Sequence, residues 1–482
     1  MVMNFLTYFK NNFSVFNSIN LPKNIYLIGI GGSGMVGLAK ILLDMGFIIS
    51  GSDIKINDNI NYLLSLGVSV YHKHDSNNIK NVDVVIYSGA IKNDNIEVLS
   101  ALKSNIPVIS RAEILSELIR FSYSIAVAGT HGKTTTSALI FDIYFNNNRN
   151  PSIVNGGYIK SINSYSFLGS SNCFIFEADE SDSSFLFFHP MVIIITNIEA
   201  EHLSNYDGSF KKLQNAFIKF LHNLPFYGKA ILCIDDLVVR DLIPYVCRKF
   251  ITYGFSNDAD VHIHNYKQIG LKSSFRLLYK NKYDIKILLN MPGKHNALNA
   301  TAALIIAKED NINDKHILKV LKKYKGTKRR FEYIGKFSLS MINGRIGNFI
   351  IVDDYGHHPA EINISILTAR KCWINRRIIM VFQPNRFTRT RDLYNDFINI
   401  LSNVDVLFIS DIYSSNELPI FGINSTKLCS DIFILGKLSP IFVKDFDFLI
   451  DKLKVILTCN DVLIIQGAGD ITNVIKKLLK II

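Results

Sequence analysis

The sequence predicts an α/β protein of three domains built on parallel sheets, and three observations lead there. At 482 residues the chain can hold two or three domains that each bury a core. Short apolar runs alternate with helical patterns along its length, the layout of βαβ units. Those runs end in glycine or polar residues, which is where open α/β sheets place their ligands.

The elements follow in order. NIYLIGIGGSG reads as a strand entering a turn, MVGLAKILLDMG as a helix, FIISGSD as a strand, NINYLLSLG as a helix and VDVVIYSGAI as a strand. A second unit opens at SYSIAVAGT, where a strand meets a Gly-rich turn and the helix TTTSALIFDIYF follows. NCFIFEADES and PMVIIITNIEAEH add buried strands with polar carboxyl ends, and a more β-rich stretch, 260–289, precedes the helix ALNATAALIIAKED. After Lys325 the alternation resumes with FIIVDDYGHH, RRIIMVFQPNR, VDVLFISDIY and DVLIIQGAGD. The predicted domains are therefore 1–122, 123–325 and 326–482, with no tandem repeat of solenoid type.

Composition narrows the function. With 48% hydrophobic and 20% charged residues the chain has the profile of a globular protein. No apolar run reaches the roughly 18 residues of a membrane span, and the start, MVMNFLTYFKNNF, lacks a signal-peptide core and cleavage site. No membrane insertion and a cytoplasmic location are expected. Cys173, Cys233, Cys247, Cys372, Cys429 and Cys459 form no CxxC pair and no zinc-like spacing, so reduced thiols are expected. A net charge of +12 favours an anionic partner: nucleic acid, a membrane surface or a phosphorylated small molecule. The densest basic cluster, LKKYKGTKRRF, has little aromatic interleaving, and no RRM, KH or zinc-finger pattern occurs. A nucleic-acid partner is not expected, and the lysines read as a solvated helix end.

The stretch AVAGTHGKTTT has the strand–turn–helix layout of a phosphate-binding loop. Backbone N–H groups at a helix start face the anion, glycines let the backbone approach, and a lysine neutralises the phosphate. The full GxxxxGK[ST] pattern would need glycine where Val127 stands, so the match is to a shortened GxxGK[TS] loop; the other reading is an incidental glycine turn. In the phosphate reading Gly129 and Gly132 free the backbone, Lys133 meets the β and γ phosphates, and Thr134 offers its hydroxyl to magnesium. Glu177, at a strand end, is a candidate further metal ligand, though Asp179, Glu180 and Asp182 crowd the same loop and acidic loops are also simply solvated. His202 follows a strand too, as a ligand or as a structural histidine.

IGIGGSGMVG holds a formal GxGxxG at Gly29, Gly31 and Gly34, with Asp53 about 20 residues further on. Alone it reads as the dinucleotide fingerprint of an NAD-dependent dehydrogenase. A dehydrogenase has no use for a second, lysine-bearing phosphate loop. Two loops imply two phosphorylated ligands.

GTHGKTTT, EADESD, TNIEAEH, GKHNALNA, RRFE and DDYGHHP occur in that order, and together they resemble the Mur ligases of peptidoglycan synthesis. The variants are most similar to the alanine-adding branch, over about residues 25–469. The resemblance implies a Rossmann-like amino-terminal domain for a UDP-sugar, a P-loop ATPase central domain, and a Rossmann-like carboxyl-terminal domain that closes over the site and carries the amino acid. It implies ATP and Mg²⁺ as cofactors, UDP-N-acetylmuramate and L-alanine as substrates, and a monomer or weak homodimer.

Carried over residue by residue, it places ATP on Gly129, Thr130, His131, Gly132, Lys133, Thr134 and Thr135, with Asn296 and Asn299 at the adenine, Arg330 near the γ phosphate and Asp354 at the ribose. Magnesium falls to Thr134, Glu177 and His202. Gly31, Gly32, Ser33, Gly34 and Asp53 become a uridine diphosphate cradle, with Ser88 and Arg111 beside it. QPNRFTRTRD resembles the amino-acid stretch, where Arg386 and Arg389 would clamp a carboxylate or form surface ion pairs, and Tyr355 and His357 would lie beside the amine. Lys133, Arg330 and His357 are the expected catalytic residues, His357 as a base or as a positioner of the amine.

Two departures stand out: Asn385 occupies a position where the family often has histidine, and Phe217 occupies one where relatives of other specificity carry a modified lysine. A ligase attaching a preformed peptide to the same acid, an NAD oxidoreductase and a nucleic-acid-binding ATPase are the alternative readings.

Overall fold

A computed structural model describes residues 22–92, 94–279, 283–415 and 417–481. The stretch MVMNFLTYFKNNF lies outside the described residues. One compact unit runs through Tyr266 and takes in Ser274–Asn290 and Lys294–Lys325; the other comprises Gly326–Ile482 with Lys267–Ser273 and Met291–Gly293.

Within the first unit, β1 (Asn24–Ile28), β2 (Ile48–Ser52), β3 (Ser69–Tyr71), β4 (Val84–Tyr87) and β5 (Val108–Ser110) form a sheet in the order 3-2-1-4-5. Every pairing in it is parallel. The order reverses at β1, so the crevice at the carboxyl ends of β1 and β4 is where such a sheet takes a ligand. The helix Ser33–Asp44 leaves that point and packs on the next sheet.

The second sheet has ten strands: β6 (Tyr123–Ala128), β7 (Ser152–Ile159), β8 (Ser164–Phe167), β9 (Cys173–Glu177), β10 (Val192–Ile195), β11 (Lys229–Cys233), β12 (Lys249–Gly254), β13 (Val261–Ile269), β14 (Lys272–Tyr279) and β15 (Tyr283–Leu289). Their order is 15-14-13-12-11-10-6-9-7-8. The parallel centre is apolar on both faces, with Ile193, Ile194 and Ile195 fully buried, as strands covered by helices on both sides must be. β8 departs from the predicted alternation by pairing antiparallel with β7. Its sequence SYSF alternates buried serine with half-buried aromatic residues, which suits an edge strand better than the sheet centre.

These two sheets share one apolar core, from Ile25 and Leu27 through Phe174 and Phe176 to Leu232. Gly37 permits the approach: a β-carbon there would stand 3.4 Å from both the Asn155 carbonyl and a Val154 methyl.

The second unit contains β16 (Glu332–Ser338), β17 (Asn348–Asp354), β18 (Ile378–Phe382), β19 (Val406–Ser410), β20 (Ile441–Val443) and β21 (Val462–Gln466), in the order 16-17-21-18-19-20. β16, which the sequence pattern did not single out, runs antiparallel to β17 with a register shift between Tyr333 and Gly335. Its partly exposed residues fit an edge strand and give no alternating signal. All six cysteines are free thiols. No helix among the described residues is long and apolar enough to cross a membrane. The basic cluster ends the helix Asp314–Lys323, with Lys322, Lys323, Lys325 and Lys328 exposed, as predicted.

Candidate functional site

The loop after β6 is assembled by glycine geometry. Gly129 and Gly132 have φ of +122° and +88°, left-handed conformations that L side chains resist. A β-carbon on Gly129 would collide with the Thr196 hydroxyl, and one on Gly132 would sit 2.6 Å from Asn299 Oδ1. Gly132 caps the helix Lys133–Phe145, whose first N–H groups have no intrahelical acceptor. The carboxyl end of β10 straps the loop from below. The Thr130 N–H donates to the Asn197 carbonyl at 3.0 Å, the His131 N–H to Asn197 Oδ1 at 2.8 Å, and the Thr196 hydroxyl to the His131 carbonyl at 2.6 Å. The Glu199 N–H reaches the Thr130 hydroxyl at 2.8 Å. Thr135 is buried in the first turn of the helix. Asn296 and Asn299, both buried, lie on the helix Lys294–Glu309, which packs against the Lys133 helix. The structure therefore brings the predicted asparagines to the loop.

Lys133 is turned back over its own loop. Its ammonium donates to the Gly129 carbonyl at 2.6 Å, the Thr130 carbonyl at 3.3 Å and Glu180 Oε2 at 2.7 Å, with Asp179 at 3.9 Å. Burial alone would lower the lysine pKa, but the charges of Glu180, then Asp179 and Glu177 outweigh it and hold the pKa above its ordinary value. Burial lifts Glu180 to about 7 against the pull of Lys133. Glu180 was legible only as one of several acids in EADESD; nothing in the residue pattern separated it from its neighbours.

Beside the lysine, the Thr134 hydroxyl donates to Glu177 Oε2 at 3.1 Å, and the Gly156 N–H donates to the other oxygen. Gly157 leaves room for the threonine methyl. A hydroxyl and a carboxylate placed together are hard oxygen donors of the kind magnesium takes. His202, in the left-handed region at φ +55°, stands 3.5 Å from Glu201. Thr134 and Glu177 thus form a donor pair that fits the ion.

The glycine turn after β1 is equally built. The Gly29 and Ile30 N–H groups donate to the Ser52 carbonyl, and the Gly31 N–H donates to Asp53 Oδ2 at 3.0 Å. Gly32 and Ser33 open the helix. A β-carbon on Gly34 would stand 3.0 Å from the Arg111 guanidinium, and one on Gly29 3.2 Å from Ser88. All seven predicted cradle residues thus surround one turn. Beneath it sits Glu97, fully buried. It accepts from the Tyr26 hydroxyl at 2.7 Å, the Ser52 hydroxyl at 2.6 Å and the Asn78 amide at 2.7 Å, and pairs with His74 at 2.8 Å. Glu97 was missed because its helix, IEVLSALK, looks amphipathic and ordinary. Asp182 reaches the same region from the central loop: a β-carbon on Gly89 would stand 2.7 Å from its carboxylate.

In the second unit, Arg330 is flanked by Arg329 and Phe331 at φ +57° and +45°. Such conformations cost about 1 kcal/mol or more each and persist only where surroundings over-determine them. Here the Tyr355 N–H donates to the Arg329 carbonyl at 2.7 Å, the Arg329 guanidinium to the carbonyls of Gly467 and Gly469, and the Phe331 N–H to Asp354 at 3.2 Å. Asp354 also accepts from the Gly356 N–H, the Ser365 hydroxyl and the Gln466 amide, and burial raises its pKa. The Arg330 guanidinium lies 5.1 Å from the Tyr355 ring centre and 3.9 Å from Glu361. Glu361 holds the His357 N–H at 2.9 Å and forms a capping box with His358 at the start of the helix Pro359–Cys372. The three-residue spacing of His358 and Glu361 in HHPAE is the signal that could have pointed to it.

Arg386, at φ +68°, begins the short helix Phe387–Asp392 after β18. Arg389 donates to Asn385 Oδ1 at 3.2 Å, and the Asn385 amide donates to the Ser415 hydroxyl at 3.1 Å. The asparagine at the unusual position thus orients Arg389, one of the two predicted clamp residues. Phe217 is fully buried, packed edge-on against Phe185, with no side-chain chemistry to offer.

The chain matches three family models: the catalytic domain of the Mur ligase family over residues 24–123, the Mur ligase middle domain over 127–307, and the glutamate ligase domain of Mur ligases over 329–469. Among solved structures it is similar to a UDP-N-acetylmuramate–alanine ligase of Thermotoga maritima, with 26% identity, 95% of this chain and 98% of that one covered, and a TM-score of 0.81. A murein peptide ligase of Psychrobacter arcticus shares the fold at 21% identity, covering 95% and 98%, with a TM-score of 0.71. So does a MurF of Acinetobacter baumannii at 15%, covering 85% and 93%, with a TM-score of 0.61.

Proposed function

Because the chain belongs to the Mur ligase family, we propose that it joins L-alanine to the lactyl carboxylate of UDP-N-acetylmuramate, with ATP converted to ADP and phosphate. The observation that carries this reading is the loop after β6: a lysine, a threonine hydroxyl and a strand-end carboxylate meet at the start of a helix, in the same compact unit as the glycine cradle after β1.

A carboxylate is a poor acylating agent, and transfer of the γ-phosphoryl group to it yields an acyl phosphate with a good leaving group. Gly129, Thr130 and His131 shape the loop while Gly132, Lys133, Thr134 and Thr135, at the helix start, present N–H groups to the triphosphate. Lys133 and Arg330 neutralise charge that develops during transfer, and Asn296 and Asn299 serve the adenine with Asp354 at the ribose. Thr134, Glu177 and His202 would hold magnesium, which supplies further neutralisation of phosphate charge when bound. Gly31, Gly32, Ser33, Gly34, Asp53, Ser88 and Arg111 take the uridine diphosphate. Arg386 and Arg389, the latter steadied by Asn385, take the amino-acid carboxylate, while Tyr355 and His357 serve its amine. L-Alanine is favoured as acceptor by the 26% identity to the Thermotoga enzyme and by the apolar burial of Phe217.

Phosphate release measured with each substrate omitted in turn tests the reading. Omission of L-alanine should suppress turnover, a tripeptide should not replace it, and Lys133→Ala should lower turnover by at least ~10³. Robust release with the tripeptide and none with L-alanine would reassign the acceptor.

A further inference from the structure

We propose that Glu180 is a positioning residue that competes with the triphosphate for Lys133, so that the loop is held shut by its own lysine until the nucleotide takes it. This rests on the reading that Lys133 receives the β and γ phosphates.

The geometry carries it. Lys133 spans its own loop to the Gly129 and Thr130 carbonyls, placing an ammonium where the loop would receive an anion. The group that holds it there is Glu180, whose side chain is only 3% exposed, at 2.7 Å. Glu180 itself cannot follow the lysine outward, because the Tyr206 hydroxyl bonds to its carbonyl and the next turn is pinned by Asp182, which accepts the Ser184 N–H at 3.0 Å. An incoming triphosphate must therefore take the lysine away from a buried carboxylate. That separation is costly, since a charge left in a buried site loses its partner, and the incoming phosphate brings like charge toward it. Nucleotide affinity is lower by the strength of the pair, and on product departure the carboxylate recaptures the lysine.

The test is equilibrium binding of the magnesium complex of the β,γ-imido analogue of ATP to the full chain. Glu180→Gln keeps the shape and removes the charge; it should bind the analogue roughly tenfold more tightly, while AMP, which lacks both phosphates that meet the lysine, binds the variant and the parent alike. Glu180→Asp, with its carboxylate withdrawn by one methylene, should lie between. Unchanged or weaker analogue binding in both variants overturns the inference, as does an equal gain for AMP. Lys133→Ala separates the two ideas: if it binds the analogue as well as the parent does, the phosphate reading itself fails. If it loses binding while Glu180→Gln gains nothing, only the competition fails.

Discussion

Gly132 shows how much one residue decides. Its φ of +88° and the 2.6 Å that would separate a β-carbon from Asn299 Oδ1 leave no room for a side chain, so Gly132→Ala should cost about 1–2 kcal/mol in local strain. It should lower ATP-dependent phosphate release at least tenfold and leave UDP-sugar binding intact; parental activity would show that the loop tolerates a different conformation. Asp142 makes a pH prediction. Burial raises its pKa to about 6, against smaller opposing effects of the Ser161 hydroxyl and Lys325. An unfolded aspartate loses its proton near ~3.9, so between that pH and about 6 the native state binds more protons than the unfolded chain. Stability therefore falls as pH rises through this window, and the penalty, about 3 kcal/mol, is fully present above it. Asp142→Asn should gain on the parent by about 2–3 kcal/mol between pH 4 and 7, measured from urea midpoints; a pH-independent difference would refute the assignment.

At the scale of elements, a helix start and a strand end meet through one buried group in each cradle. Glu97, on the helix Ile96–Lys103, binds β1 through Tyr26 and β2 through Ser52, and the Ser52 carbonyl in turn receives the glycine turn. Glu97→Ala leaves several buried donors without an acceptor, each worth about 1–3 kcal/mol, and should destabilise the first unit by at least about 3 kcal/mol in urea unfolding. A loss below 1 kcal/mol would mean that water replaces the carboxylate. Strands β1, β6, β17 and β18 and the helices after β1 and β6 were all legible, since long apolar runs that end in glycine admit few other interpretations. The edge strands β8 and β16 were not: they are only partly buried, and what defines them is the neighbouring strand they pair with.

At the scale of the molecule, the first two sheets share one core while the third has its own clusters, so two unfolding events are expected. Trp373, the single tryptophan, lies in the second unit, stacked on Phe331 and Tyr333. UDP-N-acetylmuramate should raise the midpoint seen by far-UV circular dichroism for the first unit by several degrees, by mass action on its folded state, and leave the Trp373 fluorescence midpoint nearly fixed; an equal shift in both would show one cooperative unit. The candidate site divides along similar lines. The two glycine turns, Lys133, Thr134 and the strand-end acids could be read from the chain, because a phosphate-binding loop needs particular residue types at close spacing. The partners that hold them could not. Glu180 reaches Lys133 across 47 positions, Glu97 reaches Tyr26 across 71, and Asn385 orients Arg389 only because the turn after β18 folds back toward Ser415. Local chemistry and periodicity are written in neighbouring residues, so the linear chain determined the sheet architecture and the two loops. Which buried charge faces which depends on how strands from distant segments pack together, and that was decided by the tertiary structure alone.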